Sequence, residues 1–533
     1  MMVAILASRL LGLVREMLIA RTFGQTGIVS AYAVAFNLPD LLYFFLSSGA
    51  LSGAFIPVFT ERLQTGREKE AWHIFSTIAC FMGLVLGGAV VVCELFTDPL
   101  VRVFAAPGFA KDRPELMPTV VTLTRIVLPS QLFFFLGGLM MGTLESRQKF
   151  AARAAGPVIY NTGIIFGAVV LSRWFDIAGL AWGALGGAFA GNVVFTFVHL
   201  RRAGFEFHPN LNLRHPGVKR VGALALPVIL GLSLPQIDVI INRLFATYVS
   251  EVAPAALNYA NRLMQVPLGI FAQAAGTAIL PTLSAYAARN AIDDLRSGVS
   301  FGLRAILALN IPASVFMAVM AGPIVRAIYL GGEFRLSDVG HTQVALVFYS
   351  VGIFAWAGQA IVARGFFAMQ DTLTPVVLGT VVTAIFVPLN YALMRLMGTG
   401  GLALATSIAA AIHLLLLSLC LRRRLNGLEG RRILRSLAKV CAATAAMGAA
   451  CVGVSAGAGR LVDVQTKHGS VLEVLAAMAA ASAVYVVLLR LLRTEELEYI
   501  WSAVGRRLSR RGGPTDDAAA GVTPSASTGA PPE

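Results

Sequence analysis

Residues 8–24 read SRLLGLVREMLIARTFG, an apolar stretch of spanning character that nonetheless holds Arg9, Arg15, Arg21 and Glu16. A guanidinium at the centre of a bilayer costs roughly 2.5–3.5 kcal/mol even on lenient insertion scales, so an intramembrane charge points to a functional site. Arg9 and Arg15 are six positions apart and point about 120° away from each other on a helix. Arg9 and Glu16 are seven apart and share a face, so they are expected to pair. Arg15 falls near mid-membrane if the helix covers 3–23, whereas Arg21 lies near the outer end and can snorkel to the interface. A second polar set occurs in LNYANRLMQVPLGIFAQAAGTAILP, where Asn258, Arg262 and Gln265 fall at i, i+4 and i+7 and form one stripe. Asp238 and Asn242 lie one turn apart in the preceding helix and are expected to meet this stripe, with Asp238 also placed to offset Arg243. Glu16 and Asp238 are therefore candidates for a gate or ion pair.

The chemistry open to these residues is binding. Arginine does not release its proton, and its fork grips phosphate or carboxylate oxygens bidentately, more strongly where water is thin. In lipid the stripe must face protein or a wet cavity. Facing halves carrying Arg9, Arg15 and Arg262 would make a cationic cavity suited to phosphate, diphosphate or carboxylate. The alternatives are structural: an interfacial Arg9, an Arg15 held in an ion pair, and a stripe that is only a hydrogen-bond network. No Gly-Lys-Ser/Thr phosphate loop, HExxH or paired Cys/His spacing is present, so neither an enzyme, a cofactor nor a metal is expected. The five cysteines lie in apolar runs without CxxC spacing and read as packing residues.

The elements that must position these charges are membrane helices. The chain has 533 residues, 57% of them hydrophobic and 13% charged, with mean hydropathy +0.74. Apolar stretches of spanning length recur throughout, too long and continuous for barrel strands. The predicted class is an all-α integral membrane protein of about fourteen spans, near 3–23, 28–58, 72–97, 117–145, 151–173, 176–200, 220–248, 253–286, 299–321, 341–367, 374–396, 400–421, 433–456 and 471–492. The net charge of +15 lies in short loops, which argues for orientation and anionic lipid heads rather than nucleic acid. One alternating set of loops carries roughly twice the Lys and Arg of the other, which places it, and both termini, in the cytoplasm. No cleavable signal peptide is evident. Residues 505–533 form a small, polar, Pro-rich tail expected to be disordered.

A faint repeat runs through the chain. ARTFG and NRLFA match at an offset of 222, as do Gln148 and Gln370; GAFIPVFTE and GTAILPTLS match at a slightly larger one. The predicted organisation is an N-lobe of six helices (1–200), a cytoplasmic linker (201–219), a C-lobe of six helices (220–424) and two further helices (433–493). Such repeats mark transporters that bind substrate between their halves.

At this level of detail SRLLGLVREMLIARTFG, AFNLPDLL, GAFIPVF, AAPGF, YANRLMQVPLG, ILPTLS and FFAMQDTLTPV together resemble the signature stretches of the MurJ (MviN) lipid II flippases, in the same order over about residues 7–420. The resemblance implies a transporter of the bacterial inner membrane. Its cargo would be lipid II, the undecaprenyl-diphosphate-linked disaccharide pentapeptide of peptidoglycan synthesis, moved from the cytoplasmic to the periplasmic leaflet by two rocking lobes. It thereby implies a role in wall growth and cell shape, a tail groove in the last two helices, and contact with membrane lipids and cell-wall synthesis proteins. The family's essential arginines match Arg9, Arg15 and Arg262; Asn258 and Gln265 join them as substrate-binding candidates. The chain departs from the family at Ser30 and at Asn261 and Gln265, where acids are common, and at Tyr43, where an arginine often stands. Its start is also shorter than usual, so Met1 reads as a misplaced start codon. An exporter of another polysaccharide precursor or of drugs on the same scaffold, and a non-transporting membrane scaffold, are the competing expectations.

Overall fold

The computed structural model of the chain describes residues 2–44, 50–149, 151–461 and 463–495. The expected tail at 505–533 lies outside these. The described chain is helical, and its only bridge, Gly331 to Phe334, is isolated. The site is carried by α1 (Met2–Phe23), α2 (Gly27–Leu42), α6 (Ala155–Phe175), α8 (Pro216–Ala246) and α9 (Ala253–Pro267). Between α2 and α6 run α3 (Ala50–Gln64), α4 (Glu68–Leu95) and α5 (Pro114–Ser146), and α7 (Ala178–Arg201) follows α6. A π-helical turn, Leu268–Ala272, separates α9 from α10 (Gln273–Ala288). Then come α11 (Ile292–Val319), α12 (Leu336–Ala368), α13 (Leu373–Arg424), α14 (Gly430–Leu461) and α15 (Lys467–Leu491).

Among the described residues nine helices are long and apolar enough to cross a membrane. The shortfall from fourteen has identifiable causes. α1 carries its charges in mid-helix, a π turn splits α9 from α10, and α13 joins two expected spans. α13 has 52 residues but turns back at Gly398 (φ 55°, ψ −129°). A straight helix of that length would be more than twice as long as the hydrocarbon core of a bilayer is thick.

The same backbone conformations return at the sequence offset of 222. Gln148 and Gln370 both have φ 60°, and the turns around them repeat the same hydrogen bonds. Asp176 (φ 50°, ψ −136°) and Gly398 match closely, and Gly204 (φ 81°) and Asn426 (φ 51°) end the helices that follow.

α6 and α7 cross through glycine. A Cβ on Gly163 would lie 2.5 Å from Gly187 Cα, and one on Gly183 2.8 Å from Gly167 Cα. The spacing Gly-x-x-x-Gly on both helices is what lets two backbones approach this closely in lipid. Gly163→Leu is expected to destabilise the protein by at least about 1–3 kcal/mol through overpacking, seen as a lowered Tm in detergent.

The apolar core branches. One cluster gathers α1, α2, α9 and the segment 321–334, including Tyr32, Leu263, Tyr329 and Phe334, and so joins both ends of the chain. Two others are separate: Phe55, Phe59, Trp72 and Phe75 with Val221 of α8, and Leu295, Val299, Ile361, Phe366 and Leu421. The separate clusters lie toward the rim that carries the basic loops, and the shared one toward the opposite rim. At the basic rim Glu61 binds Arg220 at 2.7 Å and Asp371 binds Arg424 at 2.7 Å.

Burial alone would push the Asp371 carboxyl up, but hydrogen bonds from Thr374 and the Arg424 charge hold it below its usual value. A carboxyl held down in the folded state stabilises above its unfolded pKa and loses that contribution as pH falls. The turn at residues 369–374 is therefore expected to keep its hydrogen-exchange protection at neutral pH and lose it below about pH 4.

Candidate functional site

Glu16 is the hub of the site. It is 2% exposed, accepts hydrogen bonds from Arg15 and Asn258, and faces Arg262 as an ion-pair partner. Arg15 Nη2 lies 2.5 Å from Oε1, Arg262 Nε 3.5 Å from the same oxygen, and Asn258 Nδ2 donates to Oε2 at 3.2 Å. Arg15, itself 9% exposed, also donates from Nη1 to Asn161 Oδ1 of α6 at 3.0 Å. Two arginines around one glutamate leave a net charge of +1. Burying a carboxylate is tolerable only when it is paired and hydrogen-bonded, and both conditions hold here.

Arg262 is the member that remains available. Its side chain keeps 37% of its accessibility, and its two terminal nitrogens make no hydrogen bond to a described residue. A planar fork anchored through Nε, with both Nη groups free, matches the geometry of a bidentate phosphate clamp. A cluster of net charge +1 with one accessible guanidinium has the chemistry to receive an anion.

A second pair lies beside the first. Arg243 Nη1 contacts Asp40 Oδ2 at 2.9 Å and Asn37 Oδ1 at 3.5 Å, and Asn37 is tied to Ala105 O at 3.0 Å. Arg262 lies within electrostatic reach of Arg15, Glu16 and Arg243, and Tyr160 within reach of Asp40 as well as Arg15. The pair is partly open to solvent, so it contributes on the order of 1 kcal/mol. Arg243→Asp alone is expected to weaken contact between α8 and α2, and Asp40→Arg with Arg243→Asp to restore it; distances between spin labels on the two helices read both.

These ties cross from the first half of the chain to the second, and the opposite rim is sewn by others. Tyr259 donates to Gly24 O at 2.9 Å, Thr342 to Gln25 Oε1 at 2.9 Å, and Gly108 N to Thr247 Oγ1 at 3.0 Å. Ser30 is fully buried and accepts from Ala255 N at 3.2 Å. Ala255 belongs to the first turn of α9, whose N–H groups have no partner within the helix. Ser30 therefore acts as a cap delivered from the other half, a role that a hydroxyl fills without burying a charge.

Several sequence expectations change. Arg9 does not pair with Glu16: it is exposed, and its guanidinium lies against Gly269, where a Cβ would stand 1.9 Å from Nη1. The adjacent Arg15 reaches Glu16 instead. Gln265 leaves the stripe and donates to Asn261 Oδ1, one turn back, at 2.6 Å. Asp238 does not offset Arg243, which binds Asp40; it faces Thr383 of α13, and no described basic group pairs with it. Asn242 likewise turns inward to Tyr349 and Thr406, at 2.9 and 3.3 Å. Sequence reasoning missed Asn161 and Asp40. Each is a polar residue within an apolar run, the signal that could have singled them out.

The profile of the family described as "Lipid II flippase MurJ" matches residues 19–464. The lipid II flippase MurJ of Burkholderia cenocepacia is 32% identical over 427 residues, 79% of this chain and 82% of that protein. The probable lipid II flippase MurJ of Vibrio cholerae is 29% identical over 426 residues, 77% and 80% of the two chains. Among solved structures, a lipid II flippase MurJ in an inward closed conformation superposes with a TM-score of 0.76 at 22% identity, covering 92% of this chain and 99% of that one. An inward-facing multidrug resistance MATE family transporter gives 0.64 at 16% identity, covering 79% and 96%. At these identities the structural matches speak to the fold.

Proposed function

The chain belongs to the MurJ lipid II flippase family, and from that premise we propose that it carries lipid II from the cytoplasmic to the periplasmic leaflet by alternating access. It is a transporter and not an enzyme. The basic rim would face the cytoplasm, with both chain ends on that side. The lobes would be residues 1–200 and 220–424 joined by 201–219, with 433–493 forming the groove for the lipid tail. Arg9, Arg15 and Arg262, with Asn258 and Gln265, would hold the diphosphate and head group. Membrane lipids and cell-wall synthesis proteins would be its neighbours.

The observation that carries this reading is the unsaturated fork of Arg262 beside a carboxylate that ties the halves together. A diphosphate on Arg262 competes with Glu16 for the same cation. It thereby weakens a bond that spans the halves, on the side where the core is shared and the rim sewn. The loaded and empty states then bind the two conformations unequally, as a ligand must if it is to shift their balance. Ser30 and Tyr43 do not remove this element, because it is built from Arg15, Glu16, Asn258 and Arg262.

The test is replacement. A bacterium depleted of its own flippase and expressing this chain is expected to resume wall growth and keep its shape. Continued lysis, with changed drug resistance or surface polysaccharide instead, would assign the scaffold another cargo. Continued lysis with neither change, from a chain that reaches the membrane, would leave it a scaffold without transport.

A further inference from the structure

The chain between α11 and α12 reaches across the opposite rim to the first half of the molecule. It runs as a short helix, Ala321–Tyr329, and then turns at Gly331 (φ 129°) and Gly332 (φ 64°), where Gly331 N donates to Phe334 O at 3.1 Å. The tip of this turn crosses the end of α1 backbone against backbone. Glu333 N donates to Arg21 O at 2.9 Å. A Cβ on Gly332 would stand 2.1 Å from Arg21 O, and one on Gly24 (φ 68°) 2.7 Å from Glu333 O. Both positions therefore need glycine, for the close approach and for the positive φ.

Behind the tip, Tyr329 and Phe334, each 1% exposed, close on Tyr259 of α9 with ring centroids 4.9 and 6.0 Å from it. Tyr329 donates to Tyr259 O at 3.1 Å and lies within electrostatic reach of Glu16, Arg262 and Arg15. One turn before Tyr329, Arg326 reaches the last two helices. Its Nε donates to Ser470 Oγ at 3.0 Å, and its Nη2 lies 3.4 Å from Glu473 Oε2, both on α15. Glu473 is 2% exposed and also accepts from Ser455 of α14. Lys467 of α15 donates to Ile328 O at 3.5 Å. One segment is thus held at its tip by the first half of the chain and at its stem by α14 and α15.

We propose that residues 321–334 are a strap that holds the opposite rim shut, and that Arg326 and Glu473 are positioning residues through which α14 and α15 control it. Opening that rim must break the bond from Glu333 to Arg21 and part Gly24 from Gly332. The tip cannot leave while the stem stays fixed, so a displacement of α14 and α15 passes to the tip. Coupling of this kind needs one two-state element that both sites bias, and the strap, seated or unseated, is that element. Its part in transport rests on the flippase reading above: a lipid tail lying along α14 and α15 would be sensed at the rim.

The test uses the full chain in lipid nanodiscs without substrate. Spin labels stand at Glu115 and Ser337, exposed residues of the two halves outside the strap, on an unnatural amino acid that leaves the native cysteines in place. Wild type is expected to give mainly the short distance. Gly332→Val, which cannot seat the tip, should move the population to a longer one. Glu473→Gln should raise the ratio of long to short about tenfold, the loss of one charge-assisted hydrogen bond. Arg326→Lys, which keeps the charge without the fork, should raise it less. Gly332→Val with Glu473→Gln should add nothing to Gly332→Val alone, because the strap is already unseated. An unchanged distance in Gly332→Val overturns the strap. A longer distance there with none in Glu473→Gln or Arg326→Lys, even if their Tm falls, overturns the control by α14 and α15 and leaves the pair a fastening. Lipid II delivery in cells is read separately: its failure in the wild type overturns the flippase reading, while the distances still decide the strap.

Discussion

Arg262→Ala is expected to lower lipid II translocation at least about a hundredfold while the protein still folds and reaches the membrane. The substitution removes a bidentate phosphate clamp, and two charge-assisted hydrogen bonds at about 1.5 kcal/mol or more each give that factor. Folding should survive because Glu16 keeps Arg15 at 2.5 Å and Asn258 at 3.2 Å, so no buried carboxylate is left bare. Arg262→Lys should recover only part of the rate, since an ammonium is a point charge and cannot present the planar fork. Translocation rate and Tm, measured on the same preparations, separate the two effects. A fall in both together would mean that Arg262 is structural.

Glu16→Gln is expected to act the other way, on conformation first. It leaves Arg15 and Arg262 facing one another with no anion between them, in a site where Arg15 is 9% exposed. Removing one partner from a buried ionic cluster costs about 3–5 kcal/mol. Part of that cost should appear as a lowered Tm. The rest should appear as separation of α1 from α9, because Glu16 is the atom group through which those helices are tied. Spin labels at Gln25 and Thr342, whose side chains are hydrogen-bonded at 2.9 Å across the sewn rim, should report a longer and broader distance in the variant. Added undecaprenyl diphosphate should reverse part of the broadening, since it supplies the missing negative charge.

The site was legible to the degree that its logic is local. Charge within an apolar helix pointed to Arg15, Glu16 and Arg262, and helical spacing put Asn258 beside Arg262; the structure brings these four together. The pairing within the set was not legible. A seven-residue spacing favoured Arg9 with Glu16, but the flexible stem of Arg15 lets a neighbouring residue wrap onto the same carboxylate. Gln265 was lost to Asn261, a one-turn partner on its own helix, and Asp238 to Thr383. Asp40 and Arg243 are about two hundred positions apart, and nothing in the sequence of either helix identifies the other.

The fold shows the same division. Gln148 and Gln370 could be matched because the residue type is kept along with φ 60°. Asp176 with Gly398, and Gly204 with Asn426, share positive φ without sharing a residue type, so the match is carried by the backbone and not by the letters of the sequence. The spans hardest to recognise by composition, α1 and α9 with α10, are those that carry the charges, because charged and polar residues lower the hydropathy that identifies a span.

The most direct measurement is the fraction of lipid II reachable from the periplasm in a bacterium depleted of its own flippase. The strain would express this chain, Arg15→Ala or Arg262→Ala at matched protein levels. The wild-type chain is expected to restore that fraction, and both variants to leave lipid II on the cytoplasmic face. Full restoration by both variants would contradict the claim that these arginines hold the diphosphate during transport.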